Sequence, residues 1–345
     1  MKILVTGGTG YIGSHYIIEQ IRNTDWDIVS IDNYINSSHK TVGRIEKITG
    51  KKITNYEIDL RDKKSTLNFF ADIGDIQGIV HFAALKSVPE SVEEPLIYYD
   101  NNINGLLNIL NAVEQFQIPY FIFSSSASVY GNVTKLPVDE NTPLGQAESP
   151  YAHTKQIGEG MMEHFYRRNK NLSGISLRYF NPVGADETGL NGEDPINKPT
   201  NLVPVITQTA SGILPQLTIY GNDYDTRDGT CIRDYIHVSD IAEAHIKALD
   251  YLSNQKLVTN HEIYNLGTGN GVSVQEAVNA FEKNTSEKLN YIFGPRRVGD
   301  QEAIYSDNRL AESRLGWKPV RDIDEMMRSA WKWQQLLNLE KNINE

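Results

Sequence analysis

A chain of 345 residues with 39% hydrophobic and 22% charged side chains can enclose a ligand within one large or two modest domains. The formal net charge of −11 argues against general nucleic-acid binding, which needs a basic surface, though not against a local cationic pocket. The single cysteine, Cys231, excludes an intramolecular disulfide, and no run reaches the roughly 18–20 apolar residues of a membrane-spanning helix.

In chain order, residues 2–6 (KILVT) form a β-branched run that stops at Gly7 and Gly8, as a buried strand does. Residues 12–21 suit a helix, and 27–32, 53–59 and 78–83 read as three further strands. Residues 120–124 and 175–179 add a fifth and a sixth, with helix-compatible segments at about 62–72, 93–115 and 152–169. This alternation predicts an α/β fold, a Rossmann-type doubly wound parallel sheet. After Phe180 the texture changes. Residues 181–234 are rich in Gly, Pro, Asn and Asp around one helix near 202–211. Short strands at 235–237 and 263–266 flank a helix at about 239–252 and are expected to return to the main sheet. Helices follow at 272–283 and 322–336. The predicted organisation is a first domain over 1–180, rejoined by 235–265, and an interleaved smaller α/β domain over 181–234 and 266–338. A polar, frayed tail is expected at 339–345. The N-terminus runs from one basic residue through a short strand into glycines, unlike a secretion signal, so a cytoplasmic protein is expected.

The segment Gly7-Gly8-Thr9-Gly10-Tyr11-Ile12-Gly13 joins the first strand to the first helix. It contains G-x-G-x-x-G and G-x-x-G-x-x-G in the one context where such patterns carry meaning. Missing Cβ atoms let backbone approach a pyrophosphate, and the helix N-terminus offers free N–H groups and partial positive charge. Asp32 ends the second strand, where a carboxylate can accept both ribose hydroxyls and repel a 2′-phosphate. Asn33, Tyr34, Ile35 and Asn36 follow with no arginine, so NAD is favoured over NADP. Asp59 ends the third strand, where it can meet an adenine amine or only solvent.

Tyr151 and Lys155 lie four residues apart at the start of a predicted helix and share a face. A tyrosine titrates near pH 10, and a neighbouring cation favours its phenolate, a competent base toward an alcohol. Such pairs recur by chance, but Ser124–Gly131 follows the fifth strand, at the sheet edge where ligands bind. A serine there can share a proton with Tyr151.

These segments, with Asp32-Asn33, His81–Lys86 and Leu177–Gly184, resemble the extended short-chain dehydrogenase/reductase family. Gly221–Tyr224, Asp228–Thr230, Arg233–Val238 and Arg296–Asp300 narrow the resemblance to its UDP-hexose 4-epimerase branch, over residues 1 to about 336. The resemblance implies reversible, NAD-dependent epimerisation at C4 of UDP-glucose or UDP-galactose through a transient 4-keto sugar, with no metal. It implies Tyr151 as acid/base, Ser126 at the 4-hydroxyl and Lys155 on the nicotinamide ribose. Around NAD it implies Gly7, Gly10, Tyr11, Ile12, Gly13, Asp32, Asn33, Asn36, Ser37, Asp59, Leu60, Phe82, Ala83, Ala84, Lys86, Asn101, Ser124, Tyr151, Lys155 and Phe180. Around the UDP-sugar it implies Lys86, Ser126, Tyr151, Asn181, Asn201, Leu202, Tyr220, Arg233, Arg297 and Asp300. Guanidinium forks at Arg233 and Arg297 suit a diphosphate. A homodimer through helices near 96–115 and 152–169 is implied as well, with no nucleic-acid or membrane partner.

Two positions depart from the family pattern. Thr200 stands where many relatives carry a second asparagine. Ile304, intermediate in size, falls where the resemblance has a bulky tyrosine exclude N-acetylated sugars and a small residue admit them, so a UDP-N-acetylglucosamine or dual-specificity 4-epimerase is the alternative; a one-residue shift would put Tyr305 there and reverse the inference. Two rival readings remain. A dehydratase on this scaffold needs an Asp-Glu pair after the serine strand, where Ser126-Ala127-Ser128 stands. A non-catalytic NAD sensor would have no use for an intact Tyr151, Lys155 and Ser126.

Overall fold

The computed structural model describes residues 1–254, 257, 259–297 and 299–344, with side chains as far as Glu340. Strands β1 (Lys2–Thr6), β2 (Asp27–Ile31), β3 (Asn55–Tyr56), β4 (Gly78–His81), β5 (Tyr120–Ser126) and β6 (Ser173–Tyr179) join His261–Leu266 in one seven-stranded sheet. The order is His261–Leu266, β6, β5, β4, β1, β2, β3, and every pair is parallel. Registers such as Thr6 with His81, His81 with Phe123 and Ser126 with Tyr179 bring the carboxyl ends to one edge.

Alternation along the strands fills two cores. Ile3 and Val5 of β1 face the cluster that includes Ile122, Ile175 and Leu249, while Leu4 faces Val29, Ile79 and Phe121. Helices cover both faces, so the central strands are buried on both sides. Helix α1 (Tyr11–Asn23) packs on Val238–Asn254 beneath the first core. A third cluster, around Ile206, Phe281 and Met327, packs the C-terminal elements outside the sheet.

The predicted α/β architecture is present, with four local corrections. Tyr235–His237 does not rejoin the main sheet; it pairs in parallel with Asn181–Val183 in a separate two-stranded sheet. Only its helix and His261–Leu266 return. The third strand shrinks to Asn55–Tyr56 because it is an edge strand with one partner. The segment predicted as one helix over 93–115 is split into Pro95–Tyr99, a π-helical turn at Asp100–Asn104, and Gly105–Gln115. There Asn102 turns inward, donating to the Leu85 carbonyl and accepting from the Leu85 N–H. The last helix runs over Ile323–Asn344, because Leu337 is still buried beside Trp333 and Ala185. The predicted tail is therefore helical through Asn344, and residue 345 lies outside the described residues.

Several histidines sit neutral in these cores. Burial pushes His81 and His237 down to about 3 and His245 to about 4. The unfolded chain protonates each near pH 6.5, so stability is full above that pH and is lost as pH falls. The expected cost by pH 5 is about 2 kcal/mol per histidine. Urea midpoints at pH 7 and pH 5 check this, and a higher midpoint at pH 5 would contradict it.

Candidate active site

A cavity of about 1490 Å³ runs along the carboxyl edge of the sheet and into the smaller domain. Gly7 adopts φ +72°, and a Cβ there would lie 2.7 Å from the Ala83 nitrogen. Gly13 needs no unusual φ; its Cβ would lie 2.2 Å from the Gly7 carbonyl oxygen. The turn is thus closed to side chains and opens directly onto the free N–H groups of α1. A pyrophosphate fits such a cradle.

Asp32 fixes the next part of the wall. One carboxylate oxygen accepts from the Thr9 N–H, the other from the Ser37 hydroxyl and the Tyr34 N–H. The oxygen that accepts from Thr9 alone keeps a lone pair for a ribose hydroxyl. Asp59, predicted near the adenine, is paired with Arg61, which holds its carboxyl below the usual range. Arg44 also lines the cavity, stacked 4.7 Å over the Trp333 ring and paired with Glu340. A lone cation on a helix gives no sequence signal of this placement.

Strand β5 and helix Pro150–Arg168 converge on the reacting end. Pro150 opens that helix and the Ser149 hydroxyl caps it, accepting from the Ala152 N–H. Tyr151 and Lys155 then share the face toward Ser124–Ser126. Burial raises the Tyr151 phenol above its ordinary range, and the adjacent Ser126 hydroxyl pulls it partly back. Ser126 also accepts from the Ser128 hydroxyl at 3.0 Å. Lys155 Nζ donates to the Ser124 carbonyl at 2.7 Å and lies 5.8 Å from the centre of the Tyr151 ring. Burial lowers it to about 8, against the opposing pull of Glu159. Lys155 is therefore anchored on β5 rather than on the tyrosine.

The far half carries two arginines. Asp300 bridges Arg233 at 3.3 Å and Arg297 at 2.8 Å, presenting the two guanidinium groups side by side. Lys86 is paired at 2.6 Å with Glu193, which sequence reasoning missed because its partner lies 107 residues away. Of the predicted residues all line this cavity except Leu202, which packs against the third core, and Tyr220, which lies under Arg297. Ile304 lines it and is 8% exposed, packed with Phe180 and Ala127. Tyr305 turns away toward Gly271. That resolves the register left open by the sequence.

A family model described as GDP-mannose 4,6 dehydratase matches residues 4–330. The UDP-glucose 4-epimerase of Erwinia amylovora is 47% identical over 97% of this chain and 98% of its own. The chain belongs to the UDP-glucose 4-epimerase family. The solved UDP-glucose 4-epimerase of Stenotrophomonas maltophila, with bound NAD and formylated UDP-arabinopyranose, superposes with a TM-score of 0.95 at 41% identity over 99% of both chains. That of Bifidobacterium longum, with NAD+ and UDP, gives 0.92 at 43% identity over 97% of this chain and 98% of that one. At the place where the dehydratase reading expects an Asp-Glu pair, Ala127 and Ser128 follow Ser126.

Proposed function

We infer that the protein interconverts UDP-glucose and UDP-galactose by NAD-dependent epimerisation at C4. The observation that carries this reading is one cavity joining the glycine cradle, Tyr151 with Ser126, and the Arg233–Arg297 pair. Gly7, Gly13, Asp32 and the N-terminus of α1 would hold the dinucleotide. When bound, NAD supplies a hydride acceptor whose positive ring favours the Tyr151 phenolate. Tyr151 takes the proton of the sugar 4-hydroxyl as hydride leaves C4, and Ser126 hydrogen-bonds the same oxygen. Arg233 and Arg297 hold the diphosphate while the 4-keto sugar turns over, which keeps the ketone at high effective concentration. With the dinucleotide bound, its reduced ring would return hydride to the opposite face, and Tyr151 would give its proton back to the same oxygen. The purified protein is expected to convert UDP-galactose to UDP-glucose without added NAD and without accumulating NADH. Nuclear magnetic resonance of the sugar and absorbance at 340 nm read both; stoichiometric NADH release would sink the closed cycle.

A second reading concerns breadth. Because Ile304, not Tyr305, walls the cavity, N-acetylated UDP-hexoses have room that tyrosine would fill. Ile304→Tyr is expected to cut kcat/KM for UDP-N-acetylgalactosamine about 10–100-fold while changing UDP-galactose little. Equal loss on both substrates would remove Ile304 as the selective wall.

A homodimer fits the surface. Leu107, Leu110, Ile157, Met161 and Phe165 line an apolar groove between Gly105–Gln115 and Pro150–Arg168, and Leu96 nearby is 79% exposed. Among the described residues no helix is long and apolar enough to cross a membrane. Light scattering of the purified protein tests the dimer.

A further inference from the structure

The segment 191–201 runs along the cavity, and every one of its residues lines the wall. It belongs to no helix or strand, so side chains must hold it. Its first residue is tied to the helix that follows the glycine turn: Asn191 Nδ2 donates to Ser14 Oγ at 2.9 Å. Its last, Asn201, stands at the N-cap of Leu202–Ala210.

The middle is held from behind by a buried indole. Gly192 lies against Trp333, where a Cβ would stand 2.5 Å from the ring, so only glycine permits the approach. The indole N–H donates to the Glu193 carbonyl at 2.9 Å. Arg44 lies 4.7 Å over the same indole and 3.9 Å from the Asp194 carboxylate. With its backbone fixed in this way, Glu193 reaches Lys86 Nζ at 2.6 Å. Lys86 comes from the loop after β4, and its ammonium stands 5.4 Å from the centre of the Tyr11 ring. Tyr11 is part of the glycine turn, and its hydroxyl donates to the Gly184 carbonyl at 2.7 Å. The Lys86–Glu193 pair therefore joins the segment to the sheet beside the cradle.

We propose that Trp333 and Arg44 are positioning residues that hold the segment so that Glu193 latches onto Lys86, and that this latch sets how slowly a bound dinucleotide leaves the cavity. This rests on the reading that the cavity takes NAD. A closed redox cycle needs the cofactor to stay through both hydride transfers, and the glycine turn and Asp32 hold it from the sheet side only.

The test is the rate of cofactor exchange. Protein loaded with NAD is diluted into excess isotope-labelled NAD, and native mass spectrometry follows the replacement. Glu193→Ala removes the latch, and Trp333→Phe removes the N–H that positions it. Each is expected to speed exchange about 3–10-fold, the worth of one net hydrogen bond or partly exposed ion pair. The double variant is expected to exchange no faster than the faster single one, because both substitutions undo the same contact. Factors that multiply would mean that Trp333 merely packs its helix, and would overturn its role. Slower exchange in Glu193→Ala would make Glu193 a competitor for Lys86 rather than a latch. That result, or unchanged exchange in both single variants, overturns the proposal while the epimerase reading stands. Wild type that takes up no NAD would sink that reading, and the latch with it.

Discussion

Replacing Tyr151 with Phe is expected to lower kcat by about 10²–10⁴-fold, the worth of a positioned acid/base, while dinucleotide occupancy stays at the wild-type level. The argument is geometric. The phenyl ring fills the same buried site, and the only atom lost is the oxygen beside Ser126. Lys155 does not depend on that oxygen for its place, because its ammonium is anchored on the Ser124 carbonyl. Nor do Arg233 and Arg297, which Asp300 holds on the far side of the cavity. KM for the UDP-sugar should therefore move little, and the loss should fall on kcat. Steady-state kinetics with the dinucleotide content read by mass spectrometry separates the terms. A loss of less than tenfold would falsify the role given to Tyr151.

What the sequence reveals about this site follows from how local each signal is. The glycine turn, Asp32 and the Tyr151–Lys155 spacing are legible because strand, turn and helix periodicity place them within a few residues of a recognisable boundary. Ile304 is half legible: residue type suggests a wall, but only the pairing of Ala303–Ile304 with Ile232–Arg233 decides which neighbour faces the cavity. The Lys86–Glu193 pair and the Asp300 bridge join segments 107 and 67 residues apart, and no periodicity encodes such contacts. The π-helical turn at Asp100–Asn104 hides for a different reason. Its apolar spacing reads as an ordinary helix, while Asn102 is diverted to satisfy the Leu85 backbone beside the cavity. The strand at Tyr235–His237 was ambiguous in kind: three apolar-bounded residues suit either sheet, and topology chooses.

The second large effect is expected from a pair that touches neither dinucleotide nor sugar. Glu159 and Arg178 form an ion pair at 2.7 Å with side chains only 5% and 3% exposed. Glu159 also accepts from the Ser125 hydroxyl at 2.5 Å, and Arg178 donates to the Tyr130 hydroxyl at 2.9 Å. The network therefore braces β5 through Ser125, between the cavity-lining Ser124 and Ser126, and ties it to β6. Glu159→Gln would leave the guanidinium buried without its counter-charge, at a cost of about 3–5 kcal/mol. That is a large fraction of the roughly 5–15 kcal/mol by which domains are stable, and urea unfolding at pH 7 reads it directly. A cost below about 1 kcal/mol would mean that water or a rearranged neighbour already neutralises Arg178. The same substitution carries a second signature. Glu159 lies one turn beyond Lys155 and holds the ammonium pKa up against burial. Without that charge the lysine titrates below its present value of about 8, so the alkaline limb of the kcat/KM profile should move to lower pH. A variant that loses stability with an unmoved pH profile would confine Glu159 to bracing the sheet; movement of both places it in the electrostatics of the reacting end.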